Sequence, residues 1–177
     1  MMTSPFVAPD RGAPHLSHIV SSPIGRLLLL GDGHALTGLW MIDAERPTSR
    51  SGDGLTPRPE PFREVEAQLE AYFAGELKEF TVPLAPSGTP FQMAVWTELT
   101  KIPYGSTVSY GDIALALGKR LVASRAVGLA NGSNPISVIV PCHRVIGSDG
   151  SLTGYGGGLE RKELLLQLEG AGPVTLW

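Results

Sequence analysis

Apolar and polar positions fall into two regimes along this chain. Residues 17–43 read as strands. A short run from Ser17 to Ser22 is followed by an apolar run from Gly25 to Gly31. Asp32-Gly33 is then a strong hairpin signal, answered by a return strand from Ala35 to Ile42. Residues 44–59 hold Pro47, Gly52, Gly54, Pro57 and Pro59 among charges, which predicts an exposed loop. From Phe62 the period becomes helical: Phe62, Val65, Leu69, Tyr72 and Phe73 fall on one stripe, with Gly75 as the stop. A further strand is predicted over Glu79–Leu84, and Ala85-Pro86-Ser87-Gly88 reads as a domain boundary.

The second half is helical in pattern. Thr89-Pro90 is a good cap and first-turn pair, and Phe91, Val95, Trp96 and Leu99 make the apolar stripe that follows. Ile102-Pro103-Tyr104-Gly105 breaks it. A short helix is predicted over Ser109–Leu117, with Ser109 as N-cap, Asp112 completing a capping-box pattern, and Gly118 as the stop. Val122–Ala130 is predicted as the next helix, ended by Asn131-Gly132. Two short helices around a glycine-containing turn form a helix-turn-helix pattern, and Lys119, Arg120 and Arg125 lie on its turn and second helix. The apolar run Ile136–Val140 predicts a strand that ends near Pro141. A last helix is predicted over Leu159–Leu168, closed by Glu169-Gly170. The fold class expected is α/β (α+β): a frayed tail over 1–14, an N-terminal α/β domain over 15–85 and a mostly helical domain over 86–177.

Composition narrows this little. The chain has 177 residues, 42% hydrophobic and 18% charged, which is globular. No apolar stretch approaches the length of a membrane span, and Met1–Pro14 has no apolar core of a secretory signal, so no membrane role and a cytoplasmic location are expected. Net charge is −3, a mild argument against nucleic acid. The distribution argues the other way, because residues 101–144 hold Lys101, Lys119, Arg120, Arg125 and Arg144 against Asp112 alone. Local charge decides whether a surface attracts phosphate.

Chemistry concentrates in Pro141-Cys142-His143-Arg144-Val145. Cys142 is the only cysteine, so it can form neither an intramolecular disulfide nor a multi-cysteine zinc site. It is then a small buried hydrophobe or a reactive thiol, and on these residues alone both readings stand. An imidazole nearby can take the thiol proton, but adjacent side chains on a strand point to opposite faces. A strand end at Pro141 would let the two share one site.

Taken in order, the motifs of the second half resemble the O6-alkylguanine-DNA alkyltransferases of the constitutive bacterial type, direct-reversal DNA repair proteins. The resemblance rests on Phe91-Gln92 with Val95-Trp96, Ile102-Pro103-Tyr104-Gly105, Ser109-Tyr110 and Arg125-Ala126-Val127-Gly128. It continues through Asn131-Gly132, Asn134-Pro135, Ile139 to Gly147, Leu152 to Gly158 and Leu166 to Gly170. The first half is similar in pattern only, at Ser22-Pro23-Ile24-Gly25 and Ala71 to Gly75. The resemblance implies a ribonuclease H-like N-terminal domain and a winged helix-turn-helix-like second domain. It also implies irreversible, stoichiometric transfer of an alkyl group from O6-alkylguanine in duplex DNA, and of O4-alkylthymine as an open question, to the protein's own cysteine after base flipping.

In this sequence the resemblance makes Cys142 the acceptor, His143 the base acting through a water, and Glu169 the group that orients His143. Tyr110 would protonate the leaving guanine, or else be a satisfied core tyrosine. Arg125 would fill the vacated stack, or else be a surface arginine. Ser124, Ala126 and Gly128 would bring the second helix close to the minor groove, whose code is degenerate. Asn134 would stabilise the turn before the active strand. Val145, Tyr155 and Gly156 would line the guanine pocket. Lys162 is either near that pocket or a solvated helix lysine. Gly156 stands where some members carry serine. No metal or cofactor is expected; the partner is lesion-bearing double-stranded DNA, met by a monomer, with clustering along DNA left open. Two other readings are weighed. A non-catalytic lesion-binding relative would replace the cysteine, which is intact here, and a cysteine hydrolase gives a basic helix-turn-helix no place. The basic and apolar segment Gly118–Val122 has no role in any of them.

Overall fold

The computed structural model describes residues 4–10, 12, 13, 15–42 and 55–171. The chain divides into two compact units, Met1–Ser87 and Gly88–Trp177.

The first unit is a four-stranded sheet with one helix. Strands β1 (Leu16–Ser22), β2 (Gly25–Gly31) and β3 (Leu36–Ile42) form an antiparallel meander in register Ser22↔Gly25 and Arg26↔Ile42. Gly33, at φ +93°, lies in the turn after β2, and the Asp32 carboxylate accepts from the amides of His34 and Ala35. Leu27, Leu29 and Leu39 are fully buried and meet Phe62, Val65, Leu69 and Tyr72 in the core. The last three lie on helix α1 (Arg63–Phe73), at the predicted spacing, and Gly75 follows it at φ +76°.

Three expectations for this unit are corrected. Residues 44–54 of the expected loop lie outside the described residues. Of the remainder, Thr56–Pro57 is a short strand, β4, pairing in parallel with Leu16–Ser17 and giving the order β3-β2-β1-β4. Glu79–Leu84 is not a strand. It contributes one bridge, Leu36↔Leu84, because Pro83 lacks an amide proton and Thr81 is tied to buried Gln68 of α1 instead. In the stretch expected to fray, Phe6 is buried and the Val7 amide donates to Leu84 O at 2.9 Å.

The second unit is built on helices. Helix α2 (Pro90–Leu99) starts at Thr89 with the capping box closed by Gln92, and buries Val95, Trp96 and Leu99. Trp96 Nε1 donates to Ala130 O at 2.9 Å. Strand β5 (Val108–Ser109) leads into α3 (Tyr110–Ala116), whose N-cap Ser109 and Asp112 form the predicted box. After Gly118, at φ +67°, a 3-10 turn over Leu121–Ala123 enters α4 (Ser124–Gly132). That helix runs through the predicted stop at Asn131-Gly132. Asn131 stays helical and buried because its Nδ2 donates to Cys142 O at 3.3 Å, and the helix ends before Asn134-Pro135. Strand β6 (Val145–Ile146) pairs in parallel with β5, and α5 (Leu159–Leu168) occupies the predicted span.

The apolar run Ile136–Val140 is a series of turns rather than a strand. Asn134 makes it so. Its Oδ1 accepts from the Ile136 amide at 3.0 Å and its Nδ2 donates to Val140 O at 2.8 Å, folding the run around one buried side chain. Val138 takes φ +71° within it, the one non-glycine residue at positive φ among those described.

Candidate functional site

Cys142 opens a 3-10 turn, Cys142–Arg144, rather than ending a strand. A 3-10 turn does not send successive side chains to opposite faces as an extended strand does, and His143 and Arg144 both reach Glu169 from it. All three are buried: Cys142 is 4% exposed and His143 is not exposed at all.

Glu169 closes this turn from the C-cap of α5. Its Oε1 lies 2.8 Å from His143 Nε2 and accepts from Arg144 Nη2 at 2.9 Å; its Oε2 accepts from Arg144 Nε at 2.8 Å. The Gly105 amide adds a bond to Oε2 at 3.3 Å. A carboxylate gripped by a bidentate guanidinium stays an acceptor, so Nε2 carries the imidazole proton and donates it. Nδ1 is then the free lone pair. It is buried and has no hydrogen-bond partner among the described residues. Burial pushes His143 below its usual range, against the pull of Glu169, and Arg144 and Lys162 add to the depression. Burial also pushes the Cys142 thiol up, while hydrogen bonds from Asn134 and Ser137 and the Lys162 cation draw it down. The resting pair is therefore a neutral thiol beside a neutral imidazole.

Lys162 is not a solvated helix lysine. It is fully buried on α5, with Nζ donating to Val145 O at 2.6 Å and Thr153 O at 2.8 Å. Burial lowers its pKa to about 8, and negative charge on Cys142 would raise it. Thr153 O also accepts from Tyr110 Oη at 3.0 Å, so Lys162 and Tyr110 meet on one carbonyl. Burial raises the Tyr110 phenol, and a Cys142 thiolate raises it further, which keeps Tyr110 a proton donor.

Tyr110 and Thr153 also line an open cavity of about 600 Å³, together with Ser124, Arg125, Gly128, Leu129, Gly132 and Gly154–Gly156. Of the expected residues, Tyr110, Ser124, Arg125, Gly128, Tyr155 and Gly156 line it together. Ala126 is exposed on α4 outside the lining. Val145 and Cys142 are buried and are not among the residues that line it. Arg144 escaped the sequence reading as a site residue, as did Gly105, Asn131 and Ser137. Arg144 reaches Glu169 and also donates to Ile102 O at 2.6 Å. The one available signal was a cation inside an apolar segment, with a carboxylate 25 residues away to receive it. Gly105 is required by space as well: at φ +75°, a β-carbon there would sit 2.8 Å from Glu169 O. Among the described residues no group of three or more His, Cys, Asp or Glu could hold a metal ion, and no helix is long and apolar enough to cross a membrane.

Residues 90–171 match the family described as "6-O-methylguanine DNA methyltransferase, DNA binding domain", and residues 16–86 match its "ribonuclease-like domain". A methylated-DNA–protein-cysteine methyltransferase of Methanosarcina acetivorans is 54% identical over 153 residues, 86% of this chain and 97% of that protein. The protein of that name from Mycobacterium tuberculosis is 56% identical over 150 residues, covering 85% and 89%. Among solved structures, the M. tuberculosis O6-methylguanine methyltransferase aligns with TM-score 0.80 at 52% identity, covering 92% of this chain and 96% of that one. The M. tuberculosis OGT in complex with DNA aligns with TM-score 0.80 at 53% identity, covering 88% and 93%.

Proposed function

Given that the chain belongs to the 6-O-methylguanine DNA methyltransferase family, we propose that it repairs DNA by direct reversal, taking an alkyl group from O6-alkylguanine in duplex DNA onto Cys142. The observation that carries the reading is the buried Cys142 followed by buried His143, whose imidazole is held by Glu169, together with a cavity lined by Tyr110 and Arg125.

Each residue has one task. His143 accepts the thiol proton at Nδ1, through a water, and the imidazolium so formed is stabilised by Glu169. Arg144 holds Glu169 in the ionised form and the right rotamer. The Cys142 sulfur attacks the alkyl carbon as the carbon–O6 bond breaks, and the bonding electrons pass to the guanine. Tyr110 returns a proton to the ring, so neutral guanine leaves. Lys162 stabilises the thiolate while it exists and pins the backbone of Val145 and Thr153. A thioether has no route back to thiol in this site, so one chain performs one transfer.

The lesion must reach a thiol that is 4% exposed, which requires the guanine to leave the stack. Arg125 lines the cavity mouth from α4 and is suited to occupy the space left behind. Small residues Ser124, Ala126 and Gly128 let that helix approach the minor-groove edges, where sequence is read weakly.

The test is intact mass after incubation with duplex DNA carrying one O6-methylguanine. One added methyl group per chain, mapped to the peptide with Cys142, is expected. A bound but unmodified protein would overturn the transfer reading and leave a lesion-recognition protein.

A further inference from the structure

The turn into α4 leaves more apolar surface in water than packing explains. Leu121 is 61% exposed and Val122 is 85% exposed, and Leu115 and Leu129 on the flanking helices are exposed too. Single exposed leucines are ordinary. Here two adjacent aliphatic residues follow exposed Lys119 and Arg120, and Arg125 comes one turn later. No acidic residue lies between Asp112 and Asp149, so nothing along this stretch of sequence neutralises those cations.

The pair is also held in a fixed presentation. The Ala123 amide donates to Arg120 O at 2.9 Å and Ser124 Oγ donates to Leu121 O, closing the turn. A β-carbon on Gly111 would lie 3.0 Å from Leu121 Cδ2, so Leu121 rests against the first turn of α3 and leaves Val122 standing free.

We propose that Leu121 and Val122 form an apolar wedge that docks on the sugar edges and a base step of duplex DNA beside the lesion, with Lys119 and Arg120 on the flanking phosphates. The inference rests on the DNA-repair reading and adds to it a contact made by the turn, ahead of the helix that carries Arg125. Duplex DNA suits both halves of the surface. Phosphates take the cations, and an opened base step takes aliphatic side chains, the exchange by which wedge residues recover the cost of unstacking. The wedge would ease extrusion of the base without reading its sequence.

Leu121→Ser/Val122→Ser separates this from the chemistry. On a short duplex with one O6-methylguanine, affinity should fall about 100-fold, roughly tenfold for each of the two aliphatic side chains no longer buried against the DNA. Its salt dependence should be unchanged, and transfer from free O6-benzylguanine base should proceed at the wild-type rate. Lys119→Gln/Arg120→Gln should instead reduce the salt slope by about two, one for each phosphate that is no longer neutralised. Unchanged duplex affinity in the apolar variant overturns the proposal. So does an effect seen only as weaker clustering on long DNA, which would assign the surface to a second copy of this chain. If the double variant melts early because Leu121 braces α3, Val122→Ser alone decides, since that side chain has little packing to lose. If the wild type transfers no alkyl group at all, the repair reading fails, while the duplex affinities still judge the wedge.

Discussion

At the scale of single residues, the site depends on buried charges that hold one another in place. Glu169 receives two guanidinium bonds from Arg144 and the imidazole proton of His143. Glu169→Gln keeps the shape and removes the charge. It leaves Arg144 buried without a counter-ion, which costs about 3–5 kcal/mol, and lets the amide face His143 with its NH₂, favouring the wrong tautomer. Single-turnover transfer from lesion duplex should slow by roughly 100-fold to 10,000-fold, as when an orienting carboxylate is lost from a triad, and thermal unfolding should fall with it. Normal transfer would show that His143 needs no orienting group. Lys162 gives a second, independent prediction. Its pKa is about 8 in the fold and 10.5 unfolded. Between those values the unfolded chain binds the extra proton, so the contribution of Lys162 to stability rises with pH across that window and is lost as pH falls to 8. Relative to the neutral amine, the buried ammonium thus opposes folding at neutral pH by on the order of 3 kcal/mol, its two carbonyl bonds already counted. Chemical denaturation from pH 7.5 to 10.5 should show this rising component in the wild type and its absence in Lys162→Met. Parallel curves for the two proteins would refute a depressed Lys162.

At the scale of elements, the decisive piece is the turn series from Asn134 to Arg144, and it is where sequence and structure part. Helices α2, α3 and α5 were legible because their signals are local: Thr89 and Ser109 cap their own helices through residues three positions on. The meander was legible for the same reason, through Asp32-Gly33. The run Ile136–Val140 reads as a strand by composition, but a buried Asn134 folds it by hydrogen bonds that apolar periodicity does not encode. Glu79–Leu84 failed alike, captured by Gln68 across thirteen positions. In the site, Cys142 and His143 were visible as types, and Glu169 and Tyr110 through resemblance. Arg144 was invisible because only the folded α5 brings its partner to it. The expected consequence is specific. Asn134→Ala leaves the Ile136 amide unpaired inside the unit and the Val140 carbonyl with the Cys142 amide alone, a loss of about 1–3 kcal/mol, and frees the backbone that aims Cys142. Hydrogen exchange at residues 136–142 should accelerate in this variant more than exchange in α2 or α5, and transfer should slow in step. Thr89→Ala, which removes a cap at the far end of α2, should cost about 1 kcal/mol and leave transfer intact. Equal local exchange in Asn134→Ala and the wild type would show that the turn holds without its side chain.

At the scale of the molecule, a protein that consumes itself in one reaction raises the question of what the reaction does to the fold. Cys142 is buried, its carbonyl is bonded to Asn131 on α4, and its sulfur draws hydrogen bonds from Asn134 and Ser137. Methylation adds a carbon in close-packed surroundings and turns the thiol that holds hydrogen bonds from Asn134 and Ser137 into a thioether, a weaker acceptor. The added carbon is an overpacking cost of about 1–3 kcal/mol, and the weakened hydrogen bonds work in the same direction. Both fall on the second unit, Gly88–Trp177, and on the same α4 that carries Arg125 and the cavity wall. For a unit of that size each kcal/mol shifts the midpoint by about 4–8 °C, so stoichiometric methylation should lower it by roughly 4–24 °C. Larger alkyl groups should lower it further. The measurement is a melt of the reacted protein against the unreacted protein, with Cys142→Ser treated identically as the control. A drop confined to the reacted protein would mean that finishing the repair itself loosens the DNA-facing helix and marks the spent chain. An unchanged midpoint would mean that the space around Cys142 already fits a thioether, and that release from DNA must come from losing the lesion alone.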